Sequence, residues 1–162
     1  ELKEVLDIVP YTTDELALVL PKKHHLSKLK ELTKEDLYKL SFIRLDSQST
    51  TRKVIDKLLE SSGLEVSRLH IDMELNSLEA IKNAVQSGLG AAFLPVVSIE
   101  RELSAGTVHK PNVADLEVKR QLKLISNPVR YKSRAAIAFR ENILPIFASS
   151  SSPLNTSEQK NN

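Results

Sequence analysis

The feature that most constrains the fold is a run of consecutive apolar residues, Leu16–Leu20, which ends at Pro21. A strand with one solvated face alternates apolar and polar residues. An uninterrupted apolar run is instead typical of a strand that is buried on both faces. The run therefore predicts a buried strand close to the start of the chain.

Further along the chain, predicted strands alternate with predicted helices. Thr33 with Asp36, and Asn76 with Glu79, have the spacing of residues that start a helix with a capping box. Alternating strands and helices predict an α/β fold with a mainly parallel sheet, in which ligands bind beyond the carboxyl ends of the strands. The predicted strands are about 16–20, 42–45, 69–75, 91–94 and 116–124, and the predicted helices about 33–40, 52–63, 76–88, 95–106 and 133–143.

Composition excludes several classes of protein. Of the 162 residues, 41% are hydrophobic and 27% charged, as in a soluble globular domain. There is no cysteine, which excludes disulfides, thiolate metal sites and cysteine nucleophiles. No apolar run approaches the roughly 20 residues of a membrane span. The net charge is only +2, and short basic runs such as Lys22-Lys23 and Lys28-Leu29-Lys30 are expected to be solvated surface.

One segment has the residue types of a ligand site. Residues 46–53 follow a predicted strand and start a predicted helix. The first turn of a helix has free N–H groups and normally favours acidic residues, yet Arg52 and Lys53 stand there. Hydroxyl groups, free N–H groups and nearby cations bind anions, although an ordinary serine-capped helix with surface cations explains the pattern equally well. The candidate effector site comprises Ser47, Gln48, Ser49, Thr50, Thr51 and Arg52.

The other motifs do not assemble a catalytic or cofactor site. Gly88-Leu89-Gly90 lacks the third glycine of a dinucleotide fingerprint and is interpreted as a helix end followed by a tight strand entry. The four histidines lack metal-ligand spacing, and no Gly-x-Ser-x-Gly elbow is present. The sequence therefore predicts no enzyme activity, no metal and no cofactor.

Several segments resemble the effector-binding domain of LysR-type transcription regulators. The most specific is Ala84–Pro95, which is similar to the family's V-x-x-G-x-G-I-x-x-x-P stretch. Residues 15–26 are similar to its first crossover strand and the following turn, with His25 where the family usually has proline. Residues 42–52, with Leu59 and 63–64, resemble the strand, turn and helix of its second subdomain. Within the family, residues 76–82 and 139–144 resemble the RuBisCO-operon regulators of cyanobacteria and algal plastids.

The resemblance implies a periplasmic-binding-protein-like fold of two subdomains, preceded by a winged helix-turn-helix. We expect this chain to hold one complete subdomain and remnants of the other, without the DNA-binding head. The expected division is residues 1–20 as a remnant of the first subdomain with a crossover strand, 21–128 as the second subdomain, 129–148 as a return segment with the last helix, and 149–162 as a disordered polar tail.

The same resemblance implies a function. The chain would sense a small anionic metabolite for a regulator of RuBisCO and carbon-fixation genes, in the plastid stroma or the cyanobacterial cytoplasm. The full-length protein would self-associate as a dimer or tetramer and would reach promoter DNA only through its N-terminal domain. The alternatives are the solute-binding domain of a transport system and an enzyme with a binding-protein-like fold, since fold alone does not separate these classes.

We also expect the chain to be prone to self-association. Leu16–Leu20 reads as a strand buried on both faces, and its neighbours are expected to lie in the missing first subdomain. The last helix, around Ala135, Phe139 and Ile143, is likewise expected to lose part of the surface that it packs on.

Overall fold

The computed structural model describes residues 6–128 and 133–142. Residues 14–120 form one compact unit, and the described residues on either side of it, 6–13, 121–128 and 133–142, belong to a second. The expected subdomain boundaries at residues 20, 128 and 148 stay predictions. The polar tail 149–162 lies outside the described residues.

The strands of the structure agree in order with those expected, and the first is much longer than its apolar run. Three additional short strands, β2, β6 and β7, are too brief to have a sequence pattern. The strands are β1 (Asp7–Pro21), β2 (Glu31–Leu32), β3 (Ser41–Leu45), β4 (His70–Leu75), β5 (Ala92–Pro95), β6 (Val108–His109), β7 (Asn112–Val113) and β8 (Val118–Ser126).

Five α-helices alternate with these strands, and short 3-10 helices span His25–Lys28, Val66–Arg68 and Val96–Ser98. The expected helix ends are confirmed at Gly63 and Gly88, which have the positive φ values of 79° and 86° that suit a glycine after a helix. The α-helices are α1 (Lys34–Leu37), α2 (Thr50–Ser61), α3 (Leu78–Gln86), α4 (Glu100–Ser104) and α5 (Arg134–Asn142).

The sheets combine parallel and antiparallel pairs, so the expected α/β fold is confirmed with a more mixed sheet. Strands β3 and β4 are parallel, and a parallel bridge joins Phe42 to Ala91 at the entry to β5. Strand β1 runs antiparallel to β5 and β6 and also pairs with β8, while β2 and β7 form a separate parallel pair.

The apolar run of β1, Leu16–Leu20, is buried on both faces, as the sequence predicts. Leu18 packs into a core that includes Ile55 of α2, whereas Val19 packs into a second core that includes Ile81 of α3. The expectation that the neighbours of Leu16–Leu20 are missing is wrong. Strands β5 and β6 pair with this segment, and each of its residues is buried within the unit 14–120.

Pro95 is a second correction. The sequence predicts that it opens a helix, but it is the last residue of β5 and pairs with Leu16 of β1. A 3-10 helix and the short α4 follow it. The cause is that a fixed φ near −65° suits the end of a strand as well as the first turn of a helix.

Gly90 stands where α3 returns to the sheet, and its backbone lies against β3. A Cβ atom at this position would lie 2.8 Å from the Ser41 carbonyl oxygen and 3.1 Å from Ile43 Cγ1. The expected reading of Gly88-Leu89-Gly90 as a helix end and a tight strand entry is therefore confirmed.

An ion pair joins the two ends of the larger unit. Arg120 donates from Nε (2.9 Å) and from one terminal nitrogen (2.6 Å) to the same oxygen, Oδ2, of the buried Asp14. These two residues are the first and the last of the unit. The pair therefore ties β1 to β8 at the point where both strands leave it.

In the second unit, helix α5 is largely exposed. Ile137 retains 41% and Phe139 44% of their accessible surface, and Ala135 is also exposed. This confirms the expectation that the last helix lacks part of its packing surface. Ile143, which was expected to belong to the same face, lies outside the described residues.

Candidate functional site

The candidate site lies where β3 and β4 end together. Leu45 and Leu75 are partners in the parallel register, and the Asp46 N–H donates to the Leu75 carbonyl at 2.9 Å. Helix α2 begins at Thr50 and α3 at Leu78, so each starts within a few residues of these paired strand ends. Two helix amino termini therefore follow the same sheet edge, which is where α/β folds bind ligands.

The turn that leads into α2 is held by Asp46. One of its carboxylate oxygens accepts hydrogen bonds from the N–H groups of Gln48 (2.9 Å) and Ser49 (3.1 Å). Ser49 is the N-cap of α2, and its hydroxyl accepts from the Arg52 N–H at 3.3 Å. Ser49 and the first amides of the turn are therefore already engaged within the protein.

The remaining polar side chains of the turn have no such partners. The hydroxyls of Ser47, Thr50 and Thr51 and the side-chain amide of Gln48 make no hydrogen bond to any residue of the described ranges, and all but Thr51 are exposed. These side chains are free to contact a ligand, and they lie at the amino terminus of a helix, which favours negative charge.

Arg52 differs from its neighbours because its charge is shared with carboxylates. Its guanidinium donates to Glu74 Oε1 at 2.8 Å and to Asp56 Oδ2 at 3.4 Å. Arg44 donates to the same Glu74 oxygen at 3.0 and 3.1 Å. Glu74 therefore lies between two arginines. Arg52 can act on a ligand through its field, but it is not an uncommitted cation.

The start of α3 adds two candidate residues that were not predicted from the sequence. Asn76 was expected to cap this helix, but Ser77 does so, accepting from the Ala80 N–H at 3.1 Å. Asn76 and Ser77 are exposed at the same edge as the α2 turn. The signal that could have found them is the pairing of the two predicted strands, since strands that end in register place the turns that follow them side by side.

The cavities of the larger unit support a surface site. A mostly apolar cavity of about 30 Å³, lined by Phe42, Leu45 and Ile55 among others, lies beneath this edge and holds no more than one water molecule. A larger open groove of about 750 Å³ lies between β1 and residues 110–119. Its lysines are paired, Lys110 with Glu15 and Lys119 with Glu117, so it offers an anion little free charge.

Within residues 6–128 and 133–142, no group of three or more His, Asp or Glu side chains is arranged to hold a metal ion. No helix in the same ranges has the length and apolarity needed to cross a membrane.

Comparison with known proteins identifies the class. Residues 3–147 match the family model described as the LysR substrate binding domain. The chain belongs to this family.

Two relatives make the comparison more specific. The chain is 56% identical over 151 residues to a "Probable RuBisCO transcriptional regulator" of Porphyra purpurea, covering 93% of this chain and 48% of the relative. It is 57% identical over 148 residues to a protein of the same name from Nostoc sp., covering 91% and 44%. The chain therefore spans about half the length of the curated relatives that it matches.

Solved structures show the same fold. The Synechocystis CcmR regulatory domain in complex with 2-PG matches with a TM-score of 0.74 and 20% identity, covering 91% of this chain and 70% of that one. The effector-binding domain of QuiR in complex with shikimate matches with a TM-score of 0.72 and 23% identity, covering 92% and 68%. The expected effector-binding-domain fold is confirmed. The relatives named above are transcription regulators, and none of them supports the transport alternative.

Proposed function

We propose that this chain is the effector-sensing domain of a LysR-type regulator that controls RuBisCO and carbon-fixation genes in response to a small anionic metabolite. The observation that carries the proposal is the shared sheet edge, where two helix amino termini follow paired strand ends and several polar side chains lack partners. Family membership and the names of the relatives support the regulatory role.

The proposed effector site comprises Ser47, Gln48, Thr50 and Thr51 as hydrogen-bonding groups, with Ser49 holding the helix start. Arg52 contributes positive potential through a guanidinium that Glu74 and Asp56 partly neutralise. We add Asn76 and Ser77 to the site because they follow the neighbouring strand end. An anion bound here gains charge-assisted hydrogen bonds and the favourable field of two helix starts.

The same proposal gives the chain a sensing role and no catalytic one. The candidate site offers hydroxyls and amides but, among the described residues, no histidine or lysine hydrogen-bonded to those hydroxyls as a base. The full-length protein would self-associate and bind promoter DNA through an N-terminal domain. We place it in the plastid stroma or the cyanobacterial cytoplasm, because its relatives come from Porphyra purpurea and Nostoc.

The test is a double substitution, Ser47→Ala with Thr50→Val, in the full-length protein. These hydroxyls make no hydrogen bond within the described ranges, so their removal should leave folding intact. Replacing Ser49 is a less clean test, because that hydroxyl also caps α2. Each lost hydrogen bond to a charged ligand should cost about 1.5–3 kcal/mol, so affinity for 2-PG in calorimetry should fall by at least tenfold per hydroxyl.

A matched control is Ser67→Ala with Ser104→Ala, two exposed serines whose hydroxyls also make no hydrogen bond within the described ranges. The control should bind 2-PG like the unsubstituted protein. Equal affinity of the Ser47–Thr50 variant and the control would refute the site. Absence of binding by the unsubstituted protein to 2-PG and also to shikimate would refute the proposed effector class.

A further inference from the structure

The structure concentrates positive charge in one short segment, residues 22–30, which we call the basic segment. It contains four lysines and two histidines but no carboxylate. Because the whole chain has a formal net charge of +2, the four lysine charges leave the other residues with a net charge of −2. The segment therefore carries a local excess of positive charge, whereas positive and negative residues nearly balance in the rest of the chain.

The four lysines of the segment are exposed and unpaired. None of them makes an ion pair or a side-chain hydrogen bond with any residue that the structure describes. Elsewhere in the same unit, Lys39, Lys82, Lys110 and Lys119 each contact a carboxylate. The basic segment thus keeps its full charge for an external partner. Its lysines are Lys22, Lys23, Lys28 and Lys30.

The segment is held in place by its own hydrogen bonds. His24 Nδ1 accepts from the Leu26 N–H at 3.3 Å, and the Ser27 hydroxyl donates to the carbonyl oxygens of His24 (2.5 Å) and Lys22 (3.1 Å). Leu26 packs against the core on the α2 side of β1. The lysines therefore project from an ordered turn, which lowers the entropic cost of fixing the backbone when a partner binds.

Two open depressions adjoin each other beside Lys22. They measure about 500 and 460 Å³ and share Lys22 and Gly106 in their walls. No aspartate or glutamate lines either of them, although the chain has 21 acidic residues. Lysines, hydroxyls and backbone N–H groups without a carboxylate are the groups that contact phosphate oxygens. The polar side chains in these walls include Lys22, Lys23, Ser27, Thr107 and His109, while Lys110, which also lines one of them, is paired with Glu15.

The composition of the segment distinguishes between two kinds of polyanion. Protein interfaces are enriched in arginine and aromatic residues and depleted in lysine. The basic segment has only lysine as its permanent cation, and it contains no Phe, Tyr or Trp. Lysine is a flexible point charge that binds phosphate without demanding a planar partner. These features favour a nucleic-acid backbone over an acidic protein surface.

We propose that the basic segment contacts the phosphate backbone of duplex DNA without reading its sequence. The proposal rests on the proposed function, because promoter binding by the rest of the protein would hold this domain close to DNA and raise its effective concentration. It goes beyond the sequence-based expectation that DNA is reached only through the N-terminal domain and that these lysines are plain solvated surface. Base recognition still requires a recognition helix, so no sequence preference is expected.

The test uses fluorescence anisotropy with a labelled duplex of scrambled sequence and the chain of residues 1–162. The variant carries Lys22→Gln, Lys23→Gln, Lys28→Gln and Lys30→Gln. The matched control carries the same charge change at exposed lysines elsewhere: Lys39→Gln, Lys57→Gln, Lys119→Gln and Lys123→Gln. At about 50 mM salt the variant should bind at least about tenfold more weakly, and its slope of log K against log salt should fall by about 3.

The control should lose less than about threefold, and a third variant with arginine at the four segment positions should bind like the unsubstituted chain. Equal losses in the variant and the control would overturn the proposal. So would loss of binding in the arginine variant, or binding of polyglutamate as tightly as the duplex. Calorimetry with 2-PG on the full-length glutamine variant separates the two proposals, because effector binding should be unchanged when the backbone contact is lost.

Discussion

Helices α2 and α3 begin at the same sheet edge, and each is capped by a serine, yet their first turns differ in charge. The first turn of α3 contains Glu79, which the helix dipole favours. The first turn of α2 contains no acidic residue and carries Arg52. A local sequence that departs from the best choice for stability is typical of a functional position. Under the proposed function, we therefore expect the start of α2 to contribute more to ligand binding than the start of α3.

The cations of the two helices are similarly buried, but their carboxylate partners differ in exposure. Lys82 of α3 has a side chain that is only 10% exposed, and it contacts Glu102, Glu79 and the Ser98 carbonyl. Arg52 of α2 shares Glu74, which is 38% exposed, with Arg44. Water can replace a lost partner of Glu74 far more easily than a lost partner of Glu102.

The largest expected effect is therefore that of Lys82→Met. Its removal leaves the poorly exposed carboxylate of Glu102 without its cation and the Ser98 carbonyl without its donor, which should lower the free energy of unfolding by about 2–3 kcal/mol. Urea denaturation measures the change. Arg52→Met is the paired control and should cost about 1 kcal/mol or less, because Glu74 is partly exposed to water and keeps Arg44 as a partner. Equal losses of unfolding free energy in Lys82→Met and Arg52→Met would contradict the proposed difference between the two ion pairs.

The serine N-caps of the two helices, Ser49 and Ser77, can be compared more directly. Ser77→Ala and Ser49→Ala should each lower stability by about 1 kcal/mol, because each hydroxyl accepts one first-turn N–H. The two variants should nevertheless differ in their affinity for 2-PG, which calorimetry measures. Ser49→Ala should reduce this affinity more than Ser77→Ala does, because loss of the Ser49 hydroxyl loosens the turn that contains Ser47. If both variants reduced effector affinity to the same degree, α3 would be as much a part of the site as α2.

A smaller effect is expected when the first turn of α2 is given an acidic residue at the position that Glu79 has in α3. Thr51 occupies the second position of its helix, as Glu79 does in α3. Thr51→Glu should raise stability by about 0.5 kcal/mol through the helix dipole and should weaken 2-PG binding through repulsion. Thr51→Gln, which adds a similar shape without charge, is the control. A glutamate variant that bound 2-PG unchanged would argue against an anion at this turn.

The smallest effect concerns acid stability. The backbone N–H of Thr33, and then its hydroxyl and Lys39, lower the pKa of Asp36 from 3.8 to about 2. The unfolded chain therefore takes up a proton at this carboxylate before the folded protein does. The stabilisation is present above pH 3.8 and is lost as the pH falls towards 2. Melting temperatures of the protein and of Asp36→Asn should converge over that range, and a constant difference would contradict the assignment.

Local signals in the sequence predicted some of the helix boundaries correctly. The pair Thr33 and Asp36 forms the expected capping box, because both partners lie within one turn and need no distant contact. Asn76 and Ser77 show the limit of such signals. Both residue types cap helices, and the choice of Ser77 follows from β4 ending at Leu75 beside Asp46, which is a contact across the sheet.

Contacts between distant segments account for what the sequence could not predict. The position of Glu74 between Arg44 and Arg52 depends on the register of two strands that lie about thirty residues apart in the chain. The burial of Leu16–Leu20 depends on pairing with β5, which comes much later in the sequence. Hydroxyl residues at a strand end indicated the candidate turn, but only the structure shows which of those hydroxyls already form hydrogen bonds within the protein.

The ion pair between Asp14 and Arg120 has a consequence for how this part of the protein can be handled and exchanged. The larger unit starts and finishes at two residues whose charged groups are 2.6 Å apart. We expect a unit whose ends lie close together in this way to tolerate excision, insertion into another chain or end-to-end joining with a short linker. The residues of the candidate effector site would therefore be transferred together in such an exchange, because all of them lie within this unit.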